Sequence, residues 1–259
     1  MRLVWFRQRR ILQLYYGRFE QTKGEAILKK VCVVVGVGPG NGASLSRRFT
    51  DGGYQVVMLA RNGGYLAQLA DEIPGALGLV CDVCDPAAIE SVFAHIRTNI
   101  GAVETLVYNA GSGQWSDVMN TTAEAFHKAW ATNTLGLLVS AQQVIPPMVN
   151  VGSGQIMVIG ATASLRGGAN FTAFASAKSA QRSLAQSMAR DLGSKGIHVG
   201  YFIIDGIIDL ERARGFFPDK PDDFFMKPDA IAESVWAVTQ QDPSAWTFEL
   251  DLRPYSERW

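Results

Sequence analysis

Short apolar runs at 31–35, 55–60, 77–81, 105–108, 155–159, 197–204 and 246–250 alternate with longer stretches of helical periodicity. This alternation limits the possible folds severely, because strand–helix–strand repeats close into parallel sheets through crossover connections. The first run, Val31-Cys32-Val33-Val34-Val35, is apolar at every position. A strand with one wet face would alternate polar and apolar residues, so this one is expected to lie under helices on both sides. Right-handed crossovers then predict an α/β fold: a doubly wound parallel sheet of about seven strands. Asp85-Pro86 reads as an N-cap and first helical residue, with Gly101 past the end of that helix. Two long helices are expected at about 121–148 and 171–193, and an irregular, aromatic-rich insertion at 206–227 is a candidate substrate lid.

A chain of 259 residues, 47% of them hydrophobic, can bury one large core, so residues 31–259 are expected to form a single domain. Charged or amide side chains interrupt every apolar segment, which argues against a membrane span. The net charge of zero conceals an asymmetry. Residues 1–30 hold eight Lys and Arg against Glu20 and Glu25, a charge of +6, which leaves −6 for the rest. This basic extension, with Trp5, Phe6, Tyr15 and Tyr16 among its arginines, suits packing on the domain, an anionic surface, a partner or organelle targeting. Cys32, Cys81 and Cys84 form no disulfide framework, which points to a reducing, cytoplasmic setting. His95, His127 and His198 match no metal-ligand spacing, so no metal is expected.

The first run leads into Gly36-Val37-Gly38-Pro39-Gly40-Asn41-Gly42, with a helix expected from near Ala43. Glycines there let backbone amides approach a pyrophosphate at a helix N-terminus. The common G-x-G-x-x-G spacing fails, because its third glycine would fall on Asn41; Gly36-x-x-x-Gly40-x-Gly42 fits instead. About twenty residues beyond the glycines, where a carboxylate would hold ribose hydroxyls, stand Ala60 and Arg61. No carboxylate repels a 2′-phosphate and a guanidinium can pair with one, so NADP(H) is favoured over NAD(H).

With Asp82-Val83, Tyr108-Asn109-Ala110-Gly111, Thr132-Asn133, Phe174-x-x-x-Lys178 and Asp205-Gly206-Ile207-Ile208 following in order, residues 31–253 resemble the short-chain dehydrogenase/reductase family. The resemblance implies a Rossmann fold. It places Gly36, Gly40, Asn41 and Gly42 at the pyrophosphate and Arg61 at the adenosine ribose. Asp82 and Val83 then meet adenine, Asn109, Ala110 and Gly111 line the cofactor, and Lys178 and Ile208 face its nicotinamide end. It also implies a homodimer or homotetramer built through the two long helices, a small-molecule substrate and no nucleic acid.

The family's Asn-Ser-Tyr-Lys tetrad reads here Asn133, Ala161, Phe174 and Lys178. Both substrate-facing hydroxyls are gone. No tyrosine occurs between 109 and 200, and a wider spacing from Lys178 reaches Phe171. A benzyl ring has no proton to exchange, so any proton donor must be another group: Thr162, Tyr108, Tyr201, water on Lys178, or the substrate. Two readings follow. One is an NADP-dependent oxidoreductase acting on a small apolar substrate with a changed proton donor, to which the pattern leans. The other is an NADP-binding protein without redox turnover, serving regulation or assembly.

Overall fold

The structure, a computed structural model, describes residues 30–112 and 115–256. The basic segment 1–29 falls outside the described residues; of the expected extension only Lys30 is placed, paired with Glu104 at 2.7 Å.

Strands β1 (Val31–Val35), β2 (Gln55–Ala60), β3 (Leu77–Val80), β4 (Val103–Tyr108), β5 (Gly154–Ile159) and β6 (Ile197–Ile204) alternate with helices. The helices between them are α1 (Asn41–Asp51), α2 (Gly63–Glu72), α3 (Pro86–Asn99), α4 (Ala123–Trp130), α5 (Gly136–Val151) and α6 (Thr172–Leu192). After β6 come β7 (Ile207–Ile208), α7 (Glu211–Phe216), β8 (Phe225–Met226), α8 (Pro228–Thr239) and β9 (Glu249–Leu252). Seven strands form one sheet in the order β3-β2-β1-β4-β5-β6-β9, all neighbours parallel, while β7 and β8 make a separate pair.

The uniform apolarity of β1 suits its place inside that sheet, between β2 and β4. Val31, Val33 and Val35 face a core built with Phe93, Leu137 and Met188 of α3, α5 and α6. Cys32 and Val34 face the opposite core, with Phe49, Leu66 and Val235 of α1, α2 and α8. Each such fully buried side chain contributes about 1.5–3 kcal/mol of transfer free energy. The α3 start is as expected: Asp85 accepts the Ala87 N–H at 3.0 Å and Pro86 opens the helix.

Three main boundaries differ from expectation, two of them where a side chain bonds the backbone. The helix after the glycine turn begins at Asn41 rather than Ala43. The expected helix at 121–148 is interrupted by a π turn at Ala131–Leu135. There the Asn133 amide donates to the Ala129 carbonyl at 2.8 Å and to Ser112 O at 3.3 Å. The last strand starts at Glu249 instead of 246, because the Thr247 backbone is held by side chains: its N–H donates to Gln241 Oε1, and its carbonyl bonds His198 Nε2. The 206–227 insertion is ordered by the β7–β8 pair, by α7, and by Arg214, which bonds both Asp209 and Asp222.

Candidate active site

Strand β1 leads through α1 to β2 on one side, while its other neighbour is β4, so the connection direction reverses between them. The crevice beyond the carboxyl ends of strands at such a reversal is where open α/β sheets bind ligands. Here it holds a cavity of about 510 Å³. Of the residues expected at a cofactor, Gly36, Asn41, Gly42, Arg61, Asp82, Val83, Asn109, Ala110, Gly111 and Ile208 line it together. Gly40 sits behind this wall as the N-cap of α1, with Leu210 packed against it.

The glycine turn is shaped by necessity at two points. Gly36 has φ 86°, and a Cβ there would collide with the Ala110 backbone. A Cβ at Gly42 would lie 2.7 Å from Val37 Cα, so only glycine lets the helix close on the turn. Asn109 secures the turn from β4, donating its amide N–H to Gly36 O at 2.7 Å. No described side chain caps α1, so its N-terminal amides have no side-chain acceptor among the described residues. Asn41 is 6% exposed, and its Oδ1 has no hydrogen-bond partner among them either.

Cations surround the same cavity. Arg61 lines it and is exposed, with no hydrogen bond or ion pair to a described residue. Lys128 of α4 and Arg212 of α7 also line it, and neither side chain is paired with a described residue. Sequence reasoning missed both: Lys128 sits in an ordinary helical pattern, and Arg212 among the aromatics of the insertion. The Asp82 carboxylate is engaged locally, accepting the Cys84 N–H at 3.0 Å. A second cavity of about 460 Å³, walled by Phe225, Met226, Leu252 and Tyr255, includes none of the glycine turn.

Lys178 and Asn133 are brought together just behind Gly111. A Cβ on Gly111 would lie 3.5 Å from Asn133 Oδ1 and 3.7 Å from Lys178 Nζ. Lys178 is only 4% exposed, and burial pulls its amine down to about 7. Its Nζ donates to Ile159 O at 2.9 Å and to Gln181 Oε1 at 3.0 Å. Gln181, fully buried one helical turn further along α6, donates in turn to the Asn133 backbone carbonyl at 2.8 Å. Nothing in the sequence pattern marked Gln181.

The Phe174 ring centroid stands 6.0 Å from Lys178 Nζ and 6.2 Å from the Phe171 ring, which meets Trp115 edge-on at 5.6 Å. The three rings form an apolar cluster beside Lys178, and Ala161 lies two residues beyond β5. The three hydroxyls considered as substitutes are all directed elsewhere. Thr162 donates to the Asp205 carboxylate. Tyr108 is fully buried, donates to Thr132 O at 2.5 Å, and has its phenol pushed well above the usual range by burial. Tyr201, also fully buried, lies 3.5 Å from Lys178 O with its hydroxyl held against Ser164 and the Ala161 backbone, and burial raises its phenol to about 12.

Among the described residues, no cluster of three or more His, Cys, Asp or Glu is arranged to hold a metal ion. No described helix is long and apolar enough to cross a membrane.

Residues 30–216 match the family model for short chain dehydrogenases. The chain is 28% identical over 192 residues to the 3-oxoacyl-(acyl-carrier-protein) reductase FabG of Salmonella typhimurium, covering 74% of this chain and 78% of that protein. It is 25% identical over 213 residues to carbonyl reductase family member 4 of Xenopus tropicalis, covering 80% and 90%. A crystal structure of a short-chain dehydrogenase from Rhodopseudomonas palustris is 34% identical, with a TM-score of 0.75 over 87% of this chain and 99% of that one. The fold is shared, at 22% identity and a TM-score of 0.80 over 87% and 96%, with a variant of the actinorhodin polyketide ketoreductase crystallised with NADPH.

Proposed function

The chain belongs to the short-chain dehydrogenase family, and from that premise we propose that it is an NADP(H)-dependent oxidoreductase acting on a small apolar substrate without a hydroxyl acid. One observation carries the proposal: a helix N-terminus with no described side-chain cap and the Arg61 guanidinium, which has no partner among the described residues, share one cavity wall at the sheet's reversal point. The buried Asn41 Oδ1 without a described partner, and a turn that closes on α1 only through glycine, fit a ligand that brings its own donors and phosphates. Relatives of this fold crystallised with NADPH or NADP give further support.

The residues divide the cofactor between them. The Gly36–Gly42 turn and the α1 amides would hold the diphosphate, and Arg61 the 2′-phosphate. Asp82 and Val83 would flank the adenine, while Lys178 and Ile208 lie at the nicotinamide end. When bound, the nicotinamide ring supplies or accepts the hydride.

The proton is the chain's own problem. With Thr162, Tyr108 and Tyr201 each bonded to another group, Lys178 is the described titratable side chain that stands beside Phe174, and an amine near 7 is poised to give or take a proton at neutral pH. Loss of a positioned acid is worth ~10² to 10⁴ in rate and loss of an oxyanion donor ~10² to 10³. Simple ketones are therefore poor substrates. An apolar molecule that accepts hydride at carbon without protonation of an oxygen in the same step, such as a conjugated alkene, suits the Trp115–Phe171–Phe174 wall. The second reading, an NADP-binding protein without turnover, is favoured by the apolar side chains at both hydroxyl positions, 161 and 174.

Fluorescence titration with NADPH and NADH, followed by turnover on ketones and conjugated alkenes, tests the proposal. Tighter NADPH binding and alkene turnover are expected, and Ala161→Ser with Phe174→Tyr should raise ketone reduction by at least about 100-fold. Binding without turnover on any apolar acceptor would establish the second reading. Failure to bind at millimolar NADPH would remove both.

A further inference from the structure

The cofactor roles proposed above make no use of the buried contact between Lys178 and Gln181. Gln181 is 0% exposed and spans two partners: its Oε1 accepts from Lys178 Nζ at 3.0 Å, and its Nε2 donates to Asn133 O at 2.8 Å. It therefore fills the space between an ammonium group and a backbone carbonyl, a place polar enough at both ends to hold a water. A water there could pass a proton on. An amide cannot, because its N–H protons do not ionise near neutral pH and its oxygen is not basic enough to carry one.

The remaining neighbours of the amine define a direction. Ile159 O accepts a second N–H at 2.9 Å and is likewise unable to carry a proton away. The third N–H has no acceptor among the described residues. Gly111 lies beside Nζ on the cavity side, where Asn133 Oδ1 is buried without a described partner, and the Phe174 ring stands 6.0 Å away on the substrate side.

We propose that Gln181 is a positioning residue that seals the rear of Lys178, so that this amine exchanges its proton with solvent only through the front of the site, between Gly111 and Phe174. The consequence rests on the function proposed above. A substrate that gains hydride from the reduced nicotinamide and a proton from Lys178 leaves a neutral amine, which regains a proton from water only once the product has left the front. Each turnover then delivers one proton, with recharging tied to product release.

The experiment reads the amine directly, in the full chain without cofactor. Lysine labelled with ¹⁵N at Nζ gives one signal per slowly exchanging ammonium group, and Lys178→Arg identifies the signal of interest. In the wild type the Lys178 protons should exchange with water at least tenfold more slowly than those of the exposed Lys195. Gln181→Ala makes room for a water between Lys178 and Asn133 O and should speed exchange at least tenfold. Gln181→Leu, similar in volume but dry, should leave exchange within about threefold of wild type.

Wild-type exchange as fast as that of Lys195 would overturn the seal without any variant. Equal rates in Gln181→Ala and wild type would overturn it as well. Saturating NADPH should slow exchange further; an unchanged rate with NADPH demonstrably bound would show that the exit is not at the front. NADPH that fails to bind refutes the functional proposal and leaves the cofactor-free comparison of Gln181 variants standing.

Discussion

Replacing Lys178 with methionine should change how stability depends on pH, in a direction set by the packing around the amine. In the folded chain its pKa is lowered to about 7 by burial, whereas the unfolded value is about 10.4. Between these values the unfolded chain binds a proton that the folded chain has released, so stability rises with pH; below about 7 both states are protonated and the dependence ends. Integrated from pH 7 to pH 9, the rise attributable to this one group is roughly 2 kcal/mol. Other groups titrate nearby. His198 is lowered by burial and acts in the same direction at lower pH, while Cys81, raised to about 11, acts in the opposite direction above pH 9. The difference between wild type and Lys178→Met removes these common contributions.

The variant also strands two acceptors, Ile159 O and Gln181 Oε1, each costing about 1–3 kcal/mol. Lys178→Met should therefore be clearly less stable than wild type at pH 9, with the gap narrower by roughly 2 kcal/mol at pH 7. Urea unfolding at fixed protein concentration measures this. With a slope of about 3 kcal/mol per molar, the separation of midpoints should change by about 0.7 M between the two pH values. Parallel pH profiles for the two proteins would refute the reasoning, because they would mean that Lys178 keeps its proton when folded.

Two further outcomes follow from the cavity and from the helix surfaces. Arg61→Ala should weaken NADPH binding at least tenfold while changing NADH binding less than threefold, measured by fluorescence titration; equal losses for both would remove the 2′-phosphate role. Phe126 and Trp130, four residues apart on α4 and each 41% exposed, form an apolar strip on one of the helices expected to join subunits. Trp130→Glu should convert a dimer or tetramer to a smaller species by light scattering at micromolar concentration, and a wild-type monomer would exclude that interface.

Much of the architecture was legible because it rests on local pattern. Val31–Val35 reads as a two-sided strand and is buried on both sides, and Asp85-Pro86 reads as a helix start and caps α3. The glycine spacing marked a tight approach that Gly36 and Gly42 make against Ala110 and Val37. Two boundaries went astray where side chains capture backbone. Asn133 opens a π turn within an otherwise regular helical sequence by taking the Ala129 carbonyl, and Gln241 and His198 hold Thr247 out of the last strand. No periodicity encodes such contacts.

The candidate site divides in the same way. That positions 161 and 174 carry no hydroxyl is a property of the sequence itself, and no arrangement of atoms restores one. The family's order of motifs likewise gathers cavity-lining residues from well-separated segments of the chain. What the remaining groups do belonged to the tertiary structure. Thr162, Tyr108 and Tyr201 are hydroxyls near the right place, and only packing decides that each is directed to another partner. Gln181 is an unremarkable helical glutamine until α6 lies against the Asn133 segment, 48 residues away in sequence. The charge of Lys178 is decided by how much water the fold removes from around it, and desolvation is a property of the packed molecule rather than of the residue.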